Sequence, residues 1–188
     1  METKDIQKAI YFYCKCRQNE FMVSNKHLHY WFEVDFMAIS KAGYLMEFEI
    51  KQSKSDFKRD FTAKKVKHEW FKGKRNGELL TEAEYGKNEK VVDQFTPNFT
   101  GIQQTTHMDE FKGPNYFYFV CPENIIDIKD VPTYAGLIYV LDNNTRIPSL
   151  KFIKKAPLLH KGKTDQDRKI NILTKYMYDY WNTHYEKR

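Results

Sequence analysis

The chain has 188 residues and a mass of 22.6 kDa, with 41% hydrophobic, 16% aromatic and 30% charged residues, which fits one folded domain over 1–188 and sets aside wholesale disorder. Thirty-one Lys and Arg against 25 Asp and Glu give a net charge of +6 and a pI near 9.0, a balance suited to an anionic partner. No run approaches the ~18–20 apolar residues of a membrane span, no apolar leader follows Met1, and Cys14, Cys16 and Cys121 form no C-x-x-C pair; the expectation is a cytoplasmic protein off the membrane, without a disulfide framework or zinc ribbon.

Thr3 is placed to cap a first helix, on which Ile6, Ala9, Ile10, Tyr13 and Cys14 recur at helical spacing, making Cys14 a core residue. A polar joint follows near residues 18 to 26. From about 29 to 51 the chain alternates with period two around Lys41-Ala42-Gly43, the pattern of a β-hairpin with Gly43 in the left-handed position. Ser53 or Ser55 then caps a second helix that turns Phe57 and Phe61 inward. Between Lys51 and Arg75 lie ten basic residues against three acids, a local +7 that leaves the rest of the chain at −1. Such a run is ordinarily a solvated helix face, but its place beside the acidic motif below directs it toward phosphate.

From about 73 to 114 the apolar pattern dissolves, which reads as a long insertion or mobile loop. Tyr116 to Cys121 is a buried strand ended by Pro122. Leu137 to Leu141 forms another after a turn at 132–136, and Leu150 to Lys154 a short further one. Ile170, Leu173, Tyr176, Met177, Tyr180 and Trp181 form the apolar stripe of a C-terminal helix. This order predicts an α/β fold of α+β type, a central mixed sheet flanked by helices.

The hairpin carries the chemistry. A turn about Ala42 pairs residues whose numbers sum to 84, setting Asp35 opposite Glu49, Glu33 opposite Lys51 and Met37 opposite Glu47. One face then holds Phe32, Val34, Phe36, Ala38, Tyr44, Met46, Phe48 and Ile50; the other holds Glu33, Asp35, Glu47, Glu49 and Lys51. Directly opposed carboxylates repel, and a divalent cation removes that cost. Mg²⁺ suits a facing Asp/Glu pair, and Lys51, at strand period from Glu49, is within reach of an attacking water or a scissile phosphate.

Glu49-Ile50-Lys51, with Asp35 fourteen residues upstream across a hairpin and a basic helix just after, resembles the signature of the PD-(D/E)xK nuclease superfamily. The resemblance implies a restriction-endonuclease-like core and Mg²⁺ (or Mn²⁺) held by Asp35, Glu49 and the Ile50 carbonyl, with Lys51 catalytic. Val34 stands where the family's nominal proline falls. Many members add a glutamate from the first helix, and Glu20, at that helix's end, is the candidate. Glu47-Phe48-Glu49-Ile50-Lys51-Gln52-Ser53, Ser55-Asp56-Phe57, Lys67-His68, the run from Tyr116 to Pro122 and that from Pro132 to Ile138 are similar to a branch of small DNA-processing nucleases of phages, mobile elements and bacterial DNA repair. The likeness covers roughly 1–72 and 114–185.

Glu33 and Glu47 are neighbours of that site or ordinary surface charges. Lys54, Lys58, Lys64, Lys67 and His68 are candidates for nucleic-acid phosphate; His68 reads first as a surface histidine and second as a general base. His27 and His29 lack a third ligand for zinc. Trp70 and Phe71 are better placed to stack on bases than the aromatic run at 116–119, which reads as core, although packing is the favoured reading for Trp70. The expected activity is metal-dependent hydrolysis of DNA phosphodiesters; the alternative is a nucleic-acid-binding module of the same fold without turnover. Enzymes of this kind often dimerise to cut both strands, so a homodimer stays open, with no dimer surface legible in the sequence.

Overall fold

The computed structural model describes residues 1–26, 33–72, 113–143 and 145–186. Its frame is a six-stranded sheet in sequential order: β1 (Phe21–Lys26), β2 (Val34–Ile39), β3 (Leu45–Ile50), β4 (Tyr116–Pro122), β5 (Ala135–Leu141) and β6 (Ser149–Lys154). The first three strands form an antiparallel meander, β4 and β5 run parallel to β3, and β6 returns antiparallel to β5. Helices α1 (Thr3–Cys16), α2 (Lys54–Ala63), α3 (Lys65–Phe71) and α4 (Gln166–Trp181) flank it. The architecture is the mixed sheet with flanking helices that the order of elements predicts. Parallel strands need a long crossover; between β3 and β4 it contains α2 and α3. Residues 73–112, most of the expected insertion, lie outside the described residues, as do 27–32 with His27, His29, Trp31 and Phe32.

Alternation along the strands sorts two cores onto the two faces. Phe36, Ala38, Phe48 and Ile50, joined by Val120, Ile138 and Val140, pack on Ile6, Ala9, Ile10 and Cys14 of α1. On the opposite face Phe117, Phe119, Cys121, Leu137 and Tyr139 lie with Phe57 of α2 and Phe71 of α3. Near the hairpin turn, Met37, Ile39 and Leu45 meet Ile172 of α4. Phe48 is fully buried, stacked on Tyr118 at 5.7 Å and edge-on to Phe36 at 6.0 Å. Burying one such side chain contributes ~2–3 kcal/mol.

Several expectations need correction. Glu2 rather than Thr3 caps α1: its amide donates to the Asp5 carboxylate at 2.9 Å, since acids at these two positions satisfy the helix's orphan donors and its dipole together. The polar joint contains β1, paired through Phe21↔Ile39 to Lys26↔Val34. As an edge strand bearing Ser24, Asn25 and Lys26 it shows too little alternation to stand out. The basic stretch is two helices, because the backbone leaves helical geometry at Lys64 (φ −114°, ψ 38°). Among the described side chains of α4 the buried ones are Lys169 and Ile172, while Ile170, Leu173, Tyr176, Met177, Tyr180 and Trp181 are exposed. Their spacing marks an apolar face but not what covers it. Phe71 is a core residue against Phe117 at 4.9 Å, unavailable to stack on bases, and the side chain of Trp70 lies outside the described ones. No helix among the described residues is long and apolar enough to cross a membrane.

Gly136, the second residue of β5, sits where the sheet tolerates no side chain: a Cβ there would overlap the Tyr118 ring and come within 2.6 Å of the Ala156 amide nitrogen. Gly136→Ala is expected to lower stability by ~1–3 kcal/mol, an overpacking cost, read as a lower urea midpoint at unchanged m-value.

Candidate active site

The site begins at a four-residue turn. Gly43 takes φ +83°, and its amide donates to the Ser40 carbonyl at 2.8 Å. That closure sets the register Ile39↔Leu45, Ala38↔Met46, Met37↔Glu47 and Phe36↔Phe48, the pairing expected from the sequence. One step further, where Asp35 meets Glu49, a side chain takes over: Asp35 Oδ2 accepts from the Ile50 amide at 2.6 Å. The Lys51 amide turns the other way, donating to the Val120 carbonyl at 2.9 Å. Because a strand residue's amide and carbonyl face the same neighbour, the Ile50 carbonyl lies on the Asp35 side.

The crossover helices complete the cluster. Ser53 caps α2 by accepting from the Asp56 amide at 3.1 Å, and Phe57 and Phe61 seat the helix against Phe119. Asp60 is thereby turned onto the sheet, followed at helical spacing by Lys64, Lys67 and His68. Lys51 Nζ donates to Glu49 Oε1 at 3.0 Å and Asp60 Oδ1 at 2.6 Å. Lys64 Nζ also bonds Glu49 Oε1 and stands 3.7 Å from Asp60 Oδ1. Lys67 Nζ lies 2.8 Å from Glu49 Oε2, 2.5 Å from Glu47 Oε1 and 5.1 Å from the centre of the Phe117 ring. His68 bridges Asp60 Oδ2 through Nε2 and the Tyr134 hydroxyl through Nδ1, each at 2.7 Å.

These groups sit almost dry: Glu47, Glu49, Lys51, Asp60, Lys67 and His68 are all buried. Burial opposes the charge of Glu49, but the ammoniums of Lys67, Lys64 and Lys51 outweigh it and hold its carboxyl well below the usual range. Asp60 is lowered against the same burial by the His68 hydrogen bond and the Lys51 ammonium. Burial also works against Lys51 and Lys67, yet their carboxylate partners raise both. Two acids go the other way. Burial, then the charge of Glu49, pushes Asp35 up to about 6, and burial pushes Glu47 up to about 7 despite Lys67.

Asp35, Glu47, Glu49, Lys51, Lys64, Lys67 and His68 are thus brought together. Lys67 and His68 are corrected from surface groups to buried ones, because the break at Lys64 swings α3 down onto the acids of β3. Glu33 is exposed just before β2, and Lys58 is exposed on α2. Lys54 is exposed beside Asp130 at 3.5 Å. Glu20 does not join the site. Its amide donates to Ile39, four residues from Asp35 and so ~13 Å along the strand, and its carboxylate pairs with Lys169 of α4 at 2.7 Å. Asp60 and Tyr134 are central groups that the sequence pattern did not single out. The 57, 60, 61, 64, 67/68 spacing, one helix face of aromatic and charged residues, is the signal that points to Asp60.

Among the described residues no group of three or more His, Cys, Asp and Glu side chains is disposed to hold a metal ion. The hard-oxygen set assembled is smaller: Asp35, Glu49 and the Ile50 carbonyl. It suits Mg²⁺, which usually takes one or two carboxylates and completes its shell with water and phosphate oxygens.

No family model matches the chain, and no curated protein matches it. A solved structure, the SPO1766 protein of unknown function from Silicibacter pomeroyi, is similar in fold. It has a TM-score of 0.53 at 11% identity, over 100% of this chain and 94% of that one. At that identity the likeness speaks for the fold alone.

Asp35 gives the site a pH signature. Its pKa rises on folding from the ordinary 3.8 to about 6, so the folded state holds the proton more tightly. Stability from this group is therefore greatest at low pH and falls as pH rises from about 3.8 through about 6. Asp35→Asn, which keeps the acceptor for Ile50 and never ionises, is expected to be more stable than wild type by ~3 kcal/mol at pH ~8 in EDTA, on the basis of ~1.4 kcal/mol per pKa unit. The gain should vanish near pH ~4 in thermal melts.

Proposed function

We propose that this protein is a Mg²⁺- or Mn²⁺-dependent deoxyribonuclease of restriction-endonuclease-like architecture, hydrolysing phosphodiesters in phage or bacterial DNA processing or repair. The observation that carries the reading is the meeting of Asp35, Glu49 and Lys51 on one sheet face through the hairpin register, with the Ile50 carbonyl on the Asp35 side. Three buried carboxylates and two buried lysines, with Asp35 and Lys64 at their edge, support the reading, since perturbed titratable groups concentrate at working sites.

Asp35 and Glu49, with the Ile50 carbonyl, would hold the cation. When bound, it lowers the pKa of a coordinated water and neutralises charge on the scissile phosphate. Lys51 presents its ammonium to the reacting phosphate or its attacking water. Asp60, itself held by His68 and through it Tyr134, fixes that ammonium from behind as a positioning residue. Lys54 and Lys58, exposed on the outer side of α2, are placed to meet backbone phosphate without reading sequence. A second reading, a binding module of this fold without turnover, draws on the ion pairs that already neutralise Glu49.

With Mg²⁺ or Mn²⁺, linear, nicked and circular single-stranded DNA are expected to be cut by wild type and left intact in EDTA. Lys51→Ala should lower turnover by ~100-fold or more, the scale of losing one transition-state donor, while DNA affinity is largely kept. Asp35→Ala should lose activity and metal response together. Equal cutting by wild type and Lys51→Ala defeats the assignment, and no cutting under any condition favours the binding module. Replacing Lys54 and Lys58 with Ala should reduce the slope of log affinity against log salt by ~1 for each phosphate no longer neutralised; an unchanged slope places the DNA on another surface.

A further inference from the structure

Glu49 has both carboxylate oxygens occupied by lysine ammoniums. Lys51 and Lys64 share Oε1, and Lys67 takes Oε2. The three lysines differ in their freedom to leave. Lys67 is fully buried and also pairs with Glu47, and Lys51 is buried and anchored by Asp60. Lys64 alone of these three is partly open, its side chain 24% exposed, and it sits at the non-helical joint between α2 and α3. Its second ion-pair partner, Asp60, is 3.7 Å away, so Glu49 is its main anchor.

Charge counting separates the states. Three ammoniums already converge on the one carboxylate of Glu49, with Asp60 answering Lys51 and, more distantly, Lys64. A divalent cation added beside all three lysines crowds further positive charge into a nearly dry site, and withdrawing Lys64 removes one unit of it. A phosphate arriving at the open edge offers Lys64 a new anion, while Glu49 Oε1, still bonded by Lys51, loses one of its two ammoniums and can turn a lone pair to the cation.

We infer that Lys64 occupies the place of the divalent cation in the metal-free protein and is drawn off by substrate phosphate, so that metal and nucleic acid load the site together. The inference rests on the nuclease reading and adds a coupling to it: each ligand tightens the other by the same factor. It also gives Lys64 two opposed effects, weakening metal binding before substrate arrives and strengthening DNA binding once it does.

The test is calorimetric titration of Mn²⁺ into the full chain at neutral pH, for wild type, Lys64→Ala, Lys64→Gln and Asp35→Ala. Each is measured alone and with an anionic, cleavage-resistant phosphorothioate oligonucleotide. Both Lys64 variants are expected to bind Mn²⁺ ~10-fold or more tightly than wild type in the absence of oligonucleotide, the effect of removing a unit charge in contact, and to bind the oligonucleotide more weakly. The oligonucleotide should tighten Mn²⁺ on wild type by a similar factor and on the variants hardly at all. Lys64→Gln, which keeps the side chain's length and a donor, preserves the test should Lys64→Ala fold poorly. Equal Mn²⁺ affinity of wild type and both Lys64 variants, with binding lost in Asp35→Ala, overturns the coupling and leaves the nuclease reading standing. No Mn²⁺ bound by any protein, with or without oligonucleotide, overturns that reading and the coupling with it.

Discussion

The structure turns on one carboxylate that cannot be left alone. Glu49 lies in the middle of a sheet, paired through β3 to a neighbouring strand on each side and covered by a helix, where an isolated negative charge would cost several kcal/mol. Three ammoniums answer it, and each needs its own support in turn. Asp60 serves Lys51 and Glu47 serves Lys67, while His68 and Tyr134 secure Asp60. The crossover helices are held to the sheet by this polar lattice as well as by Phe57 and Phe71.

The same constraint explains why the basic stretch has two roles. A straight helix from 54 to 71 could present one continuous face to the sheet, but the joint at Lys64 lets α2 seat its aromatics while α3 sets Lys67 and His68 over β3. The outer side is left with Lys54, Lys58, Arg59 and Lys65 in water. A positive surface and a neutralised interior are therefore built from a single run of lysines.

Asp35 and Glu47 mark where the fold gives up stability. Both are acids whose ionised form the surroundings disfavour, and neither has the full set of cationic partners that Glu49 enjoys. Lys67 compensates Glu47 only in part: Glu47 Oε2 has no hydrogen-bond partner among the described residues.

The sequence alone determined the hairpin, its register and the face shared by Asp35, Glu47, Glu49 and Lys51, because a period-two pattern about a left-handed glycine admits one pairing. Local spacing likewise marked α1, the inward Phe57 and Phe61, and the three later strands, whose signals lie within a few residues of one another. Tertiary structure decided the rest. Edge strand β1 shows itself only by pairing with β2, and the apolar stripe of α4 says nothing about which of its sides meets the sheet. Whether a lysine faces water or a buried acid depends on what stands opposite it in space: Lys58 and Lys67 read alike along the chain, yet one is solvated and the other lies dry between two glutamates.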